Sequence, residues 1–328
     1  MASLVAAATV RRTPAIDRSG FLDVVRLLAG FDIVAFHTGS VAGDSNGFRL
    51  GFGVTVFLLV TAVGVARQVE PREFRAFAYD RASRYLSPFG FWCVVYAAVA
   101  TATSLRYGEP ALGWWRSCML WRGTEYHLWF MPVSLALVVV VELARAATVR
   151  ASTPLVVTIS VVLACLTILA GHAGWYLRGV PCWSPWAWAP PAAFLGLALG
   201  KILQADASRR RSAWLLTTAV VVAAWSFAVW QSYDGHFALR FATGSLLMGL
   251  GLILPGISGP WMKRLLALSI GVFLCHPLVL RFGLRFLDDL PSPLTVALIW
   301  SLSAVIVLAM QRTALARFAG ERPTSSRR

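Results

Sequence analysis

The chain has 328 residues, 58% of them hydrophobic and only 14% charged, with a mean hydropathy of +0.67. Soluble domains carry about 25% charge, so the composition excludes a soluble globular protein and indicates a polytopic membrane protein. A formal charge of +15 suits nucleic acid only when gathered on one surface; at helix ends it reads as membrane topology.

The first apolar stretch, ASLVAAATV, is short, lacks a basic leader and precedes Arg11 and Arg12, the reverse of signal-peptide order. Apolar runs bounded by charge, Pro or Gly then predict ten spans, several near the length of about 20 residues that a bilayer core requires. They lie at 20–40, 48–66, 85–104, 127–146, 153–171, 186–203, 213–232, 237–255, 263–282 and 293–311. They fill the chain with short connections and show no internal repeat. The expectation is one all-α integral domain of about ten transmembrane helices over 20–312, between a segment 1–19 and a tail 313–328. The end of that tail, GERPTSSRR, reads as disordered.

Arg and Lys placement sets the direction. With the N-terminus in the cytoplasm, and residues at span ends counted with the adjoining segment, inner segments hold 21 of the 30 basic residues and outer segments 8, while Arg26 alone lies well inside a span. The basic balance is therefore topology, and nucleic acid is not an expected partner. Both termini are expected in the cytoplasm, with the protein a multi-pass component of the cell membrane. All five histidines then fall on the outer side: His37, His127 and His276 at span ends, His172 and His236 in loops. The last two read as interfacial residues, the first three as a shared polar site.

Span one contains RLLAGFDIVAFH, Arg26 to His37. Eleven positions at 100° each amount to three turns plus about 20°, so both residues point the same way, about 16 Å apart along the axis. Ionisable groups inside a membrane are costly and usually line a cavity or pathway. Asp23 is placed to pair with Arg26 along the helix. Asp32 lies about 140° around from His37 and needs a partner on another element. The loop RQVEPREFRAFAYDRASRYLSP carries five arginines. Arg81 and Arg84 share a helical face there, and paired guanidiniums suit phosphate, although for this loop taken alone lipid headgroup contact or plain inner-side charge is the favoured account. Further along, Glu142 is placed to answer an arginine. Trp114, Trp115, Trp121, Trp183, Trp186 and Trp188 crowd outer segments as an aromatic belt, with sugar stacking as a second use. Five irregularly spaced cysteines without CxxC predict no metal site; Cys118 and Cys182, both in outer segments, leave a disulfide open.

Taken in series, these stretches resemble the acyltransferase-3 family of integral membrane acyltransferases. FLDVVRLLAGFDIVAFH resembles its first helix, with R-x10-H at Arg26 and His37. GFGVTVFLLVTAVGVAR resembles its second helix, and FAYDRASRYLSP its RxxR stretch. HLWFMP (127–132) and LSIGVFLCHPLVL (268–280) resemble its H-L-W-F-L segment and its late S-x-x-x-Y-L-x-H-P helix. Departures are Thr61-Ala62 for Ser-Gly, Phe273 for Tyr, and the acid at Asp32; the soluble hydrolase-like domain of some members is not matched.

The resemblance implies transfer of an acyl group, commonly acetyl, from cytoplasmic acyl-CoA to a hydroxyl of a glycan or other small acceptor at the outer side. It implies no permanently bound cofactor. His37 and Arg26 would be catalytic, Arg81 and Arg84 would hold CoA, and His127, Trp129 and His276 would border the acceptor. The competing readings are a multi-pass exporter of a polar metabolite or glycan precursor and a membrane scaffold. Ten spans with buried charges also suit the first; the second leaves the Arg26–His37 face unexplained.

Overall fold

A chain in a bilayer must satisfy its backbone polar groups internally, which leaves the helix as the form open to apolar runs of this kind. The computed structural model describes residues 20–41, 51–69, 72–112, 115, 119–172, 186–205, 236–254, 259–287 and 292–319, with isolated positions between 212 and 223. The described elements are helical: α1 (Gly20–Val41), α2 (Gly53–Ala66), α3 (Phe74–Arg106), the single turn α4 (Met119–Arg122), α5 (Phe130–Ala147), α6 (Thr153–His172), α7 (Ala189–Ala205), α8 (His236–Ile253), α9 (Pro260–Leu287) and α10 (Ser292–Gln311). A 3-10 turn at Ala314–Phe318 follows, capped by the Thr313 hydroxyl, which accepts from the Leu315 amide at 3.1 Å.

Six helices among the described residues are long and apolar enough to cross a membrane: α3, α5, α6, α7 with its short 3-10 entry, α9 and α10. The expected first, second and eighth spans appear as α1, α2 and α8 and fall outside that set. The first carries Asp23, Arg26 and Asp32, and α2 has only 14 residues. The expected seventh span, 213–232, lies outside the described residues apart from isolated helical positions. So do Cys118 and Cys182.

One boundary differs usefully from expectation. The third span was expected to start at residue 85, where hydropathy rises, but α3 begins at Phe74 and runs 33 residues. Charge ends a hydropathic run without ending a helix, and no Gly or Pro stands between Phe74 and Pro88. At about 1.5 Å per residue this helix is near 50 Å long, well beyond a hydrocarbon core of about 30 Å. Its first turns, with Arg81 and Arg84, therefore reach past the apolar slab.

The short helix α2 forms the centre, packed by α1, α5, α7 and α8. Lipid tails are as apolar as leucine, so helices in a membrane associate through close packing of small residues. The α2–α7 seam shows this. A Cβ on Gly196 would stand 2.2 Å from the Ala62 Cβ, and one on Gly200 would stand 2.4 Å from the Ala66 Cβ. On one side of α2 a core of Leu58, Leu137, Leu195 and Phe241 forms; on the other, Val25, Ile33, Val272 and Ile299. Peripheral α3, with 17% of its spanning stretch buried against 72% in α7, faces lipid over most of its surface.

Packed pairs fix direction. Gly30 faces Ser269 and His37 meets His276, so α9 runs parallel to α1. Arg240 lies over Phe36 while Gly251 meets Leu22, so α8 runs antiparallel to α1. His37, the start of α2 and the start of α5 thus share one end of the bundle.

Candidate active site

Pro277 lies inside α9. It has no amide hydrogen, so the Phe273 carbonyl lacks its usual helical donor. The His276 imidazole fills that role: its Nδ1 lies 2.8 Å from the Phe273 oxygen and 3.2 Å from the Val272 oxygen. A carbonyl only accepts, so Nδ1 carries the proton. In the neutral ring Nε2 is then an acceptor, and it sits 2.6 Å from Nδ1 of His37. The two rings are 6° from parallel with centroids 4.9 Å apart, which puts this bond in the plane of both. His37 therefore donates from Nδ1, and its lone pair is on Nε2, the basic and nucleophilic atom. His276 is fully buried and His37 nearly so.

His127 completes a cluster of three imidazoles, its ring 6.5 Å from His37 and 5.5 Å from His276. It donates from Nε2 to the Leu274 carbonyl at 3.2 Å, which also accepts from the Tyr96 hydroxyl at 2.8 Å. Its Nδ1 lone pair is buried with no partner among the described residues. Tyr126 sits edge-on to His37 at 4.8 Å. Next to it Glu125 accepts from Arg281 at 2.6 Å, tying the loop before α5 to α9. Among the described residues no group of three or more His, Cys, Asp or Glu is arranged to hold a metal.

A cavity of about 150 Å³ opens beside His37. Its walls include Asp32, Phe36, Gly51, Tyr126, His127, Trp129, Trp188, Arg240 and Phe273. Asp32, off the His37 face as its spacing required, accepts from the Gly51 amide at 3.1 Å and the Gly53 amide at 2.8 Å. The first amides of a helix lack internal partners, and its N-terminus favours negative charge. Phe52, which precedes α2, has no capping side-chain bond of its own; Asp32 supplies the cap from the neighbouring helix. Gly53 is required for that approach, since a Cβ there would meet the Ala29 carbonyl at 2.3 Å, and Gly51 has a φ of 63°. Arg240 closes the same corner, its guanidinium 4.9 Å over the Phe36 ring and against Gly51.

The arginines predicted to bind phosphate lie at the opposite end of the bundle. Arg84 pairs with Asp80 at 3.0 Å, and Arg81 reaches the same oxygen at 4.0 Å. Around them stand Arg72, Arg145 and Lys201, with Glu142 as the buried acid. Arg145 grips both Glu142 oxygens, at 2.9 and 2.6 Å, which names the arginine that Glu142 answers. Burial lowers the Arg72 guanidinium from its ordinary value; Glu142 opposes this, and the like charges of Arg145 and Arg81 add to the lowering. Arg26 pairs with Asp23 at 3.6 Å, as its spacing required, and is not a wall of the cavity.

The structure thus brings together His37, His127, Trp129 and His276, keeps Arg81 beside Arg84, and pairs Arg26 with Asp23 outside the cavity wall. Sequence reading missed Arg240, whose signal was an arginine inside the apolar run HFALRFATG. It also missed Tyr126 and Glu125, adjacent to the HLWFMP stretch, and Arg72, in the loop named for its arginines. A family model for the acyltransferase domain of the acyltransferase-3 type matches residues 19–310. No curated protein and no solved structure matches the chain.

Proposed function

The chain belongs to the acyltransferase-3 family, and from that premise we propose that it is an integral membrane O-acyltransferase moving an acyl group, acetyl in the first instance, from cytoplasmic acyl-CoA to a hydroxyl of a glycan or other small acceptor. The observation that carries this reading is the 2.6 Å bond from His37 Nδ1 to His276, itself anchored to the Phe273 carbonyl. It fixes a lone pair on His37 Nε2 at the edge of a cavity walled by Trp129 and Trp188, side chains suited to the face of a sugar.

In this reading His37 Nε2 takes the proton from the acceptor hydroxyl. The oxygen attacks the thioester carbonyl carbon, the C–S bond breaks, and the departing CoA sulfur takes that proton. If transfer runs through an acyl-imidazole, the same nitrogen is the nucleophile. His276 keeps the His37 ring in the competent tautomer, as the third member of a catalytic triad does. Arg81 and Arg84 hold the CoA phosphates at the cytoplasmic end, Arg26 steers the thioester along the shared face of α1, and His127 borders the acceptor with the two tryptophans. Inner-side charge supports this orientation, with both termini in the cytoplasm of a cell-membrane protein.

The test is acyl incorporation by membranes carrying His37→Ala at matched expression. General-base catalysis contributes about 10²–10⁴-fold, and activity should fall by that order; near-wild-type incorporation would remove His37 from the chemistry.

A further inference from the structure

Arg72 was not predicted as a site residue, and its surroundings are not those of a solvated surface charge. Its guanidinium carbon lies 4.8 Å from the centre of the Phe77 ring, and that of Arg81 lies 5.3 Å from the same ring. One aromatic side chain, itself buried, thus positions two cations. Each cation is only about a quarter exposed or less, 21% for Arg72 and 24% for Arg81. Nε of both, and Nη2 of Arg72, are shut off from solvent without a hydrogen-bond partner among the described residues.

Among the described residues, neighbouring acids do not neutralise this pair. Both oxygens of Glu142 are engaged by Arg145 at 2.9 and 2.6 Å, so Arg72 approaches that carboxylate only to 3.9 Å. Asp80 is 3.0 Å from Arg84 and 4.0 Å from Arg81. Lys201, buried against the Thr148 carbonyl at 3.1 Å, adds a further cation near Arg145. Among the described residues, five cations therefore share two carboxylates. Burying guanidinium N–H groups without acceptors is costly, and an anion bound among them would offset that cost.

We propose that Arg72 and Arg81, set by Phe77 and backed by Arg145, form a binding site for a phosphate group, with Arg72 an essential member. The assignment rests on the acyl-CoA reading for the identity of its preferred ligand, the phosphates of the donor. The same chemistry would also accept the phosphate of an anionic lipid. Guanidinium forks match phosphate oxygens bidentately, which an ammonium does not reproduce.

The full-length protein in nanodiscs of phosphatidylcholine is titrated with coenzyme A by calorimetry. Arg72→Gln and Arg81→Gln should each weaken binding at least about tenfold, the loss of a charge-assisted hydrogen bond. Arg150→Gln, an exposed charge removed from the same end of the bundle, should change it by less than about threefold. Arg72→Lys keeps the charge and protects against a folding artefact; it should still lose most of the affinity. A second arm measures retention of phosphatidylglycerol on the purified protein. If wild-type protein binds no coenzyme A but Arg72→Gln sheds phosphatidylglycerol, the phosphate site stands and the donor reading falls. If coenzyme A binds and Arg72→Gln and Arg72→Lys match wild type in both arms, the site is refuted while the donor reading survives.

Discussion

Pro277 withholds one amide hydrogen, and the consequence runs through three side chains: the Phe273 carbonyl turns to His276, His276 presents a lone pair, and His37 must donate from Nδ1. Pro277→Ala would return an N–H to that carbonyl and set it in competition with the imidazole. We expect kcat to fall about tenfold, near 1.4 kcal/mol of barrier, with the KM for acyl-CoA unchanged and thermal stability equal or higher. Turnover of radiolabelled acetyl-CoA checks this, and a joint loss of stability and donor affinity would show that Pro277 acts on the fold alone. Asp32 makes the opposite case, since its value lies in stability. Asp32→Ala removes the carboxylate that receives the Gly51 and Gly53 amides, so the start of α2 loses about 2 kcal/mol. Melting in detergent should shift down clearly, while Asp32→Asn, which keeps one acceptor oxygen, should shift less. The sequence singled out His37, His127 and His276, which cluster, and the pairing of Arg26 with Asp23, because spacing along a helix and position along the chain can be read directly. It could not name the partners of Asp32, which lie 19 and 21 residues away, just before and at the start of α2, nor the use of Arg240 from α8. Spacing rules describe one helix, and both of these contacts join different ones.

At the scale of elements the seam between α2 and α7 decides how closely the bundle closes. The stretch GLALG, Gly196 to Gly200, repeats small residues every four positions, and Ala62 and Ala66 repeat them on α2. The second-helix pattern that usually reads Ser-Gly reads Thr61-Ala62 here. The Ala62 methyl fits because Gly196 opposite offers no side chain. Gly196→Val would force the helices apart at the centre of the molecule. Overpacking of this kind costs about 1–3 kcal/mol, and because α2 carries Gly53 and its Asp32 cap at the cavity rim, activity should fall together with melting temperature. Gly64→Ala, at a position on the same helix with open space beyond it, should change neither. Much of this was legible: apolar runs located the helices described. The ends were less so, because the start of α3 follows helix propensity and backbone hydrogen bonding across a charged stretch, whereas hydropathy reports only the part that meets lipid.

Across the whole molecule the chemistry divides between two ends. His37, the cavity and the Glu125–Arg281 pair stand where α1 finishes and α5 starts. Arg72, Arg81, Arg145 and Lys201 stand where α2 and α5 finish. A donor that is phosphate-rich at one end and reactive at the other fits such a division, provided that the arginine end faces the compartment where acyl-CoA is made. The distribution of basic residues favours that orientation, and labelling decides it. In a cysteine-free background, Leu112→Cys places a thiol on the loop after α3, at the histidine end, and Arg150→Cys places one after α5, at the arginine end; both positions are exposed. A membrane-impermeant maleimide added to intact cells should modify the first and spare the second, and permeabilisation should expose the second. The reverse pattern would put the histidine cluster in the cytoplasm and the arginines outside. Phosphate binding at Arg72 could then persist in purified protein, but cytoplasmic acyl-CoA could not be its source, and transfer would have to start from a donor on the histidine side.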